Sequence, residues 1–493
     1  MPGFAFRLRS SLTLLTMLFL VAACSTNPVT GKREILLMSP EQEKALGAQA
    51  AEQVEQSIGL VEDPQLTAYI EAIGNRLAED SPRQDVEYRF YVANMEEPNA
   101  FALPGGYIYL SRGLLALSNS EAEIANVLGH EIGHVAARHS AQRQTAATGL
   151  GVLTVLGTIF AANQGGAQAA QQAQQLGNVL GSGLIATYGR DQERQSDEIG
   201  QDLAADNGWN PLGMRDFMAQ LGNYTVYKTG EKRQPTWFDS HPTTDERVET
   251  AQQRAQQLTT APIPNIADST YEYYQQLEGL LVGADPSGGV FRDGLFLHPT
   301  LNFAFSLPEP WDKANQPTAV LAAPQSRDAM VRLEGQGASG DPVAAAREFA
   351  QQNQLQLGRS ASGSINGFNA FQAVAQAQTD QGPLGLHLTW IAHPQMMVRI
   401  TGMAPLNAFN NYARTFDSIA GSFRGLTQAE AGSFTELRLN VATARNGETL
   451  SQLSQRVGNA WSVEETKVAN GLPSELLSQG QPVKVAIEVP FRP

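Results

Sequence analysis

The sequence predicts a multidomain fold: a mainly α-helical domain with a small edge β-hairpin, then an α+β domain and a small βααβ domain. The first observation is length, since 493 residues are enough for about three domains. The second is periodicity, because helical patterns dominate residues 40–262 and alternating strand patterns appear from residue 291. The third is a strand–helix–helix–strand pattern over residues 434–490. The net charge of −15 means that no nucleic-acid partner is expected.

The N-terminus has the pattern of an export signal. Two arginines precede an apolar run from Leu12 to Ala23, which is too short to span a bilayer. Cys24 follows directly and is the only cysteine, so it cannot form a disulfide within the chain. We therefore predict a signal peptide over residues 1–23 and a tether over residues 24–39.

The boundary at Cys24 resembles a bacterial lipobox. The resemblance implies cleavage before Cys24, lipid attachment to its thiol, and a lipid-anchored protein in the periplasm. Several acyl chains anchor a protein stably, whereas one chain binds only marginally. The residue after Cys24 is Ser25 and not Asp, which by analogy favours sorting of the lipoprotein to the outer membrane. The alternative is a plain cleaved signal with an unrelated cysteine.

Helical periodicity places five helices in the first domain, residues 40–262. Ser120 and Glu123 form a capping box, and Gly208 and Pro211 mark the end of one helix and the start of the next. The helices are predicted over Pro40–Ile58, Pro64–Asp80, Glu121–Gln142, Asp191–Asn207 and Pro211–Leu221.

A β-hairpin is predicted before the third of these helices. Phe101 to Leu110 has a strand pattern that is interrupted by a turn at Pro104–Gly106. A strand beside an active site can bind a substrate backbone by β-addition, which leaves side-chain specificity loose. The alternative is an ordinary core hairpin.

The third predicted helix carries an H-E-x-x-H motif at His130, Glu131 and His134. Positions four apart lie on one helix face, so both imidazoles can bind one metal ion and Glu131 can reach a water on it. Imidazole and carboxylate ligands suit Zn²⁺, which lowers the pKa of a bound water to about 7. The chain has 7 histidines, and two at this spacing argue against a chance match on a surface helix. By helical phase His139 lies off this face, so we expect it to be structural or exposed.

A third metal ligand is expected on another helix, because a catalytic zinc usually has three protein ligands and one open position. Glu193 and Asp197 are four residues apart and share a helix face. Glu193 would bind the metal, and Asp197 would hold the N–H of a ligand imidazole. On charge pattern alone, the alternative of a solvated charged helix is stronger, since Asp191 and Glu198 lie close by.

Four motifs occur in the order found in a known peptidase family. They are Asn99–Gly106, Tyr107–Leu115, His130–His134, and Glu193 with Asp197. Over about residues 30–255 the chain resembles the HtpX/Oma1-like and CAAX-prenyl-protease-related zinc metallopeptidases, within them the periplasmic branch of beta-barrel assembly-enhancing proteases. The resemblance implies a zincin-like first domain, Zn²⁺ as cofactor, Glu193 as third ligand and Glu131 as catalytic base.

The segment from Ser240 to Arg247 resembles a His-Pro segment with a downstream Arg in the same family. The resemblance implies that His241 lies close to the metal, and three roles stay open for it. His241 could be a fourth ligand in a latent state, or a catalytic residue that steadies the oxyanion. It could also simply begin the helix predicted over Thr243–Leu258.

Residues 148–183 are an unusual insertion between the predicted ligands. They are apolar and Gly-rich at first and then rich in Gln, Ala and Gly, and they are too short and polar for a membrane-spanning helix. Low complexity favours a lid or gating loop, and a lipid-facing loop or two packed helices are the alternatives.

The region after the first domain shows no catalytic constellation. Residues 263–290 are a linker with a short helix over Thr270–Leu281 and a Gly-rich boundary. Residues 291–428 predict an α+β domain with a helix over Pro342–Gln352. We expect this domain to contact a partner or to act as a spacer.

Residues 434–490 resemble a LysM peptidoglycan-binding module. The resemblance rests on the turns at Asn446-Gly447, Asn470-Gly471 and Gly480 between two strands and a helical segment. The module departs from the family at Val441, where its first strand usually has an aromatic residue. Peptidoglycan is therefore a partner that the resemblance suggests only weakly.

These patterns predict a zinc endopeptidase that is lipid-anchored in the periplasm, and the family resemblance implies that it cleaves exposed segments of misfolded or misassembled envelope proteins. The outer-membrane assembly machinery is a partner consistent with this function. Two alternatives stay open: a chaperone-like assembly scaffold, and a peptidoglycan-associated lipoprotein with a latent metal site.

Overall fold

The computed structural model of the protein describes residues 24–145, 188–230, 241, 245–316, 318–379 and 382–492. The predicted signal peptide and the predicted lid over residues 148–183 lie outside these ranges. The chain forms two compact units, Met1–Gly283 with Leu437–Ile487 and Ala284–Glu436 with Glu488–Pro493. Within the described ranges, every helix is too short or too polar to cross a membrane.

The first unit is mainly helical. Its helices are α1 (Pro40–Ser57), α2 (Pro64–Glu79), α3 (Arg112–Leu117), α4 (Glu121–Ala136), α5 (Arg190–Asp206), α6 (Gly213–Thr229), α7 (Asp245–Ala255) and α8 (Thr270–Gln276). Its strands before the linker are β1 (Cys24–Thr26), β2 (Arg33–Ile35), β3 (Arg89–Ala93), β4 (Ala100–Leu103) and β5 (Tyr107–Ser111). The linker helix is shorter than predicted, because the chain turns after Gln276 and forms β6 (Leu281–Val282).

The predicted hairpin is part of a three-stranded sheet in the order β3-β5-β4. β4 and β5 pair antiparallel, with Ala100 opposite Leu110. β3 adds in parallel on the other side of β5, and the sequence analysis did not predict this strand. The turn requires glycine, since Gly106 has a φ of 98° and a Cβ there would lie 2.4 Å from the Glu87 carbonyl oxygen.

α4 begins at a capped N-terminus and packs tightly against α5. The Ser120 hydroxyl accepts a hydrogen bond from the Glu123 amide and caps the helix, but the predicted capping box is incomplete, because the Glu123 carboxylate accepts from the Asn119 amide instead of the Ser120 amide. A Cβ on Gly129 would lie 2.8 Å from the Gly200 carbonyl oxygen, and a Cβ on Gly200 would lie 2.7 Å from the His130 amide nitrogen. The two helices that carry the predicted metal ligands therefore approach closely only because both positions are glycine.

α4 ends at Ala136, six residues before the predicted end at Gln142. Arg138 has a φ of 58°, which breaks the helix, and a new helical stretch starts at His139. The Arg138 guanidinium is held in this turn, because it donates to the buried Glu43 carboxylate at 3.0 Å and to the Met38 carbonyl at 3.0 Å. Side chains after residue 137 therefore do not point in the directions that a continued α4 would give them.

Most of the C-terminal strand–helix–helix–strand segment, Leu437–Ile487, belongs to the first unit. Its elements are β17 (Thr435–Thr443), α12 (Leu450–Val457), α13 (Val463–Ala469) and β18 (Pro482–Pro490), numbered to follow the second unit described below. β17 pairs with β6, with Leu437 opposite Val282. Lys484 is buried, and its ammonium donates to the carbonyls of Ala116 at 2.8 Å and Ser118 at 2.5 Å. This contact fixes the segment against the chain just before α4.

The second unit is built around an antiparallel sheet of seven strands in the order β10-β11-β12-β16-β15-β14-β13. These strands are β10 (Asp312–Gln316), β11 (Ala319–Ala323), β12 (Met330–Gln336), β13 (Leu357–Ile365), β14 (Phe368–Thr379), β15 (Gly382–His393) and β16 (Met396–Pro405). A smaller sheet contains β7 (Val290–Arg292), β8 (Leu295–His298) and β9 (Phe303–Ser306), and the helices are α9 (Pro342–Gln352), α10 (Phe409–Gly421) and α11 (Gln428–Ala431). Sheets and helices thus share this unit, and the helix over Pro342–Gln352 has the predicted bounds.

Candidate metal centre

Four buried side chains from three parts of the first unit meet at one point. His130 and His134 come from α4, Glu193 from the first turn of α5, and His241 from the segment before α7. One potential ligand atom from each residue lies within 4.8 Å of all the others. The structure therefore brings together the residues that the sequence analysis selected for the metal, including His241, whose role was left open.

The distances between these atoms fit a single tetrahedral metal ion. His130 Nε2 lies 3.0 Å from His134 Nε2 and 3.1 Å from His241 Nδ1. Glu193 Oε1 lies 3.0 Å from His241 Nδ1 and 3.4 Å from His134 Nε2, and Glu193 Oε2 lies 3.6 Å from His130 Nε2. Ligand atoms about 2.0–2.1 Å from a tetrahedral zinc would be about 3.3 Å apart. Hydrogen bonds alone do not explain the set, since one imidazole nitrogen cannot pair with two others in this way.

Two charged residues surround this group on the α5 side. Asp197 Oδ1 lies 2.9 Å from His130 Nδ1, the nitrogen that faces away from the other potential ligands. Arg247 of α7 donates to both Asp197 oxygens, at 2.8 and 2.7 Å, and its third nitrogen lies 2.8 Å from Glu193 Oε2. Burial raises the pKa of Asp197, but the charge of Arg247 together with the hydrogen bonds to His130 and Arg247 outweighs it, and the net pKa is lowered. Asp197 therefore meets His130 as a carboxylate.

Glu131 lies at the same site without being one of the four clustered ligands. Its side chain is buried, and Oε1 lies 3.4 Å from His241 Nε2. His241 thus faces the metal-ligand group with one nitrogen and Glu131 with the other. A carboxylate in this position can exchange a proton with a group bound beside it.

His139 is buried beside His134, so the exposed position that the sequence analysis left open for it is wrong, whereas a structural position agrees with its contacts. The structure shows a fully buried ring whose Nδ1 lies 2.9 Å from His134 Nδ1 and whose Nε2 lies 3.0 Å from Gln195 Oε1. The expectation assumed an unbroken helix, and the left-handed turn at Arg138 directs His139 back toward α4. No local pattern in the sequence signals that turn.

Tyr188 is a second contact that the sequence analysis missed. Its ring stacks on the His134 imidazole, with ring centroids 3.8 Å apart and an interplanar angle of 24°. Its hydroxyl lies 3.3 Å from Ser140 Oγ. His134 is therefore held by stacking on its face as well as by the contact at Nδ1.

The chain matches the model of peptidase family M48 over residues 64–255, a range that contains all four clustered residues. It is 33% identical over 257 residues to a beta-barrel assembly-enhancing protease of Yersinia pestis, covering 50% of each chain. It is 30% identical over 260 residues to the protein of that name from Escherichia coli K12, covering 51% of each. The chain thus spans about half the length of these two relatives.

A shorter relative is covered more completely. The chain is 30% identical over 214 residues to the metalloprotease LoiP of Escherichia coli K12, which corresponds to 43% of this chain and 80% of LoiP. The family match and this relative agree with the grouped histidines and glutamate, and the chain belongs to peptidase family M48, whose members are metal-dependent proteases.

Proposed function

We propose that the protein is a zinc-dependent endopeptidase of the bacterial cell envelope. Its substrates would be exposed segments of misfolded or misassembled envelope and outer-membrane proteins. The single observation that carries the proposal is the grouping of His130, His134, Glu193 and His241, whose possible ligand atoms all lie within 4.8 Å of one another, with Glu131 beside them. The relatives named beta-barrel assembly-enhancing protease support the envelope as the place of action.

The residues divide into ligands, a proton carrier and supports. His130, His134 and Glu193 would hold Zn²⁺, and Asp197 would orient His130 through its Nδ1–H. The bound ion would polarise the scissile carbonyl and lower the pKa of the attacking water. Glu131 would accept the proton of that water and then deliver it to the leaving amine.

β4 is the proposed binding place for the substrate backbone. It is the terminal strand of its sheet in the described part of the chain, next to β5 on one side only. Ala100 and Ala102 share a core with Ile124 and Leu128 of α4, so this strand lies beside the helix that carries His130. All four residues of β4 are buried in this structure, so its edge would have to be uncovered before a substrate binds. An extended segment pairing with it by backbone hydrogen bonds would then be bound with little dependence on side chains. Such binding suits an enzyme whose substrates are unfolded.

The predicted attachment at the N-terminus and the C-terminal segment extend the proposal. Lipid on Cys24 would place the protein at the periplasmic face of a membrane, which we propose to be the outer membrane. Residues 434–490 would allow contact with peptidoglycan. Proteins of the outer-membrane assembly machinery are the further partners proposed here, as the names of the relatives suggest.

The experiment that tests the proposal is hydrolysis of a urea-unfolded outer-membrane β-barrel protein. We expect the chain without residues 1–24 to cleave it, 1,10-phenanthroline to stop cleavage, and added Zn²⁺ to restore it. Native folded barrel is the control and should remain intact, because its strands have no free backbone groups. Cleavage that continues unchanged with the chelator would rule out the metal centre as the catalyst.

His241 gives a second prediction, because a fourth protein ligand leaves no open position for substrate. We propose that the observed arrangement is a latent state in which His241 Nδ1 takes that position. His241→Ala should then keep its zinc and cleave faster, by roughly tenfold if His241 favours the closed site by about 1.4 kcal/mol. The measurement is the cleavage rate per bound zinc, with the unfolding midpoint as a control for folding. A slower rate at full zinc content would instead assign His241 to oxyanion stabilisation.

The closed site also favours a second candidate function, that of a chaperone-like scaffold that cleaves rarely. This function would depend on binding of unfolded barrel proteins rather than on proton transfer. Suppression of barrel aggregation by a variant that cannot hydrolyse peptides would support it.

A further inference from the structure

The two histidines of the H-E-x-x-H motif have chemically different supports. His130 Nδ1 faces the carboxylate of Asp197 at 2.9 Å. His134 Nδ1 faces another imidazole, that of His139, at 2.9 Å. His139 in turn faces the side-chain oxygen of Gln195 at 3.0 Å through its other nitrogen. His134 thus depends on a chain of two uncharged groups.

We propose that His139 and Gln195 are positioning residues that fix the tautomer of His134 and so direct its Nε2 lone pair at the metal. The inference rests on the proposed function only in taking His134 as a metal ligand. It adds two residues, from the turn after α4 and from α5, to the set on which metal binding depends.

The nitrogen that carries the proton in each imidazole of the series Gln195, His139 and His134 follows from which groups can donate and accept. The Gln195 oxygen can only accept a hydrogen bond, so His139 Nε2 must carry the proton between them. A neutral imidazole has one N–H, so His139 Nδ1 is left as an acceptor. His134 must then donate from Nδ1 to His139 Nδ1, which leaves the lone pair of His134 on Nε2.

The opposite order would prevent metal binding. If His139 donated from Nδ1, His134 Nδ1 would be the acceptor and the His134 proton would lie on Nε2. That proton would point at His130 Nε2, 3.0 Å away, and into the space between the clustered residues.

Other contacts at these rings agree with this order. The Ser196 hydroxyl lies 3.5 Å from His139 Nδ1, a longer contact than that of His134 to the same nitrogen. Tyr188 stacks on His134 and restricts rotation of its ring. A fixed ring that is also fixed in tautomer loses less freedom when it binds the metal.

The test compares zinc affinity in matched variants of the chain without residues 1–24. His139→Phe keeps an aromatic ring and removes the acceptor, and should weaken zinc binding by about 10- to 100-fold. His139→Asn places an amide oxygen near the position of Nδ1 and should restore most of the affinity. Gln195→Leu should weaken binding in the same direction, while Gln195→Glu, which keeps an acceptor oxygen, should not. Affinity is measured by competition with a chromophoric chelator, with the unfolding midpoint recorded for each variant.

A spectroscopic measurement separates positioning from general packing. In protein with ¹⁵N-labelled histidine, loaded with zinc, long-range ¹H–¹⁵N correlations should show the proton of His139 on Nε2. In Gln195→Leu, His139 should no longer be fixed in this single tautomer. Because Gln195 is only partly buried, replacing it should leave the fold intact. A wild type without zinc affinity would overturn the proposed function, and this inference with it. A zinc-binding wild type with equal affinity in Gln195→Leu and Gln195→Glu, or with His139 protonated on Nδ1, would overturn this inference alone.

Discussion

Replacing Glu131 by Gln is expected to lower hydrolysis of an unfolded protein substrate by at least about 10³-fold, because this residue would both accept and deliver the transferred proton. Gln has nearly the same size as Glu but does not accept a proton at neutral pH. The ligand atoms of His130, His134 and Glu193 are untouched by the change, so zinc content should stay the same. Cleavage would be measured with the metal-loaded variant beside the wild type.

Glu198→Gln is a matched control, since Glu198 is an exposed carboxylate on α5. It should cleave at the wild-type rate. If Glu131→Gln kept its zinc and still cleaved within a few-fold of the wild type, another group would have to carry the proton. If instead Glu131→Gln did not cleave but prevented barrel aggregation as well as the wild type, binding of substrates would be separable from cleavage.

The second large effect concerns stability, and it is expected for Glu121→Gln at the first position of α4. The Glu121 carboxylate is buried and accepts four hydrogen bonds. The donors are the Tyr69 hydroxyl at 2.7 Å, Trp209 Nε1 at 2.6 Å, and the amides of Ile266 at 2.7 Å and Ala267 at 2.6 Å. In Glu121→Gln the NH₂ group would replace one of the two carboxylate oxygens. The two donors that this oxygen accepted from would then face another donor and lose their hydrogen bonds. Breaking such a buried charged network costs about 3–5 kcal/mol of unfolding free energy.

Urea unfolding followed by the fluorescence of tryptophan would measure this loss. Glu198→Gln again serves as the exposed control and should change the unfolding free energy by less than about 0.5 kcal/mol. Glu121 lies at the start of α4, the helix that carries His130 and His134. We therefore also expect weaker zinc binding by the variant at urea concentrations that partly unfold it. A loss below about 1 kcal/mol would mean that Glu121 is not the anchor of the helix start.

Local sequence patterns selected His130 and His134 as candidate ligands, whereas Glu193 was selected only with the help of the family resemblance. The spacing of His130 with His134, and of Glu193 with Asp197, defines helix faces whatever the rest of the fold does. What the patterns could not give is the approach of α4 to α5. That approach depends on Gly129 lying against Gly200, and a contact between glycines from distant segments leaves no periodic signal.

The unexpected contact of His139 with His134 and the missed strand β3 have a similar origin. Helical phase predicts directions only while the helix continues, and the turn at Arg138 is stabilised by Glu43, which is 95 residues away. β3 is short, and its parallel pairing with β5 is a non-local contact. Both features depend on residues that are distant in sequence.

The C-terminal segment illustrates the same limit in another way. Its turns at Gly447, Gly458, Gly471 and Gly480 all have positive φ, as turn and helix-ending glycines commonly do. The local elements could therefore be predicted. The burial of Lys484 against the carbonyls of Ala116 and Ser118 could not, since an isolated lysine in a strand is usually exposed.

The central claim is that His130, His134 and Glu193 together hold one zinc ion, and elemental mass spectrometry tests it most directly. The chain without residues 1–24 should contain about one zinc per molecule. His134→Ala and Glu193→Ala should each lose it while keeping wild-type helical content by circular dichroism. A folded wild type with no zinc would contradict the account. Zinc retained in Glu193→Ala, but lost when His241→Ala is added, would mean that His241 can serve as the third ligand in place of Glu193.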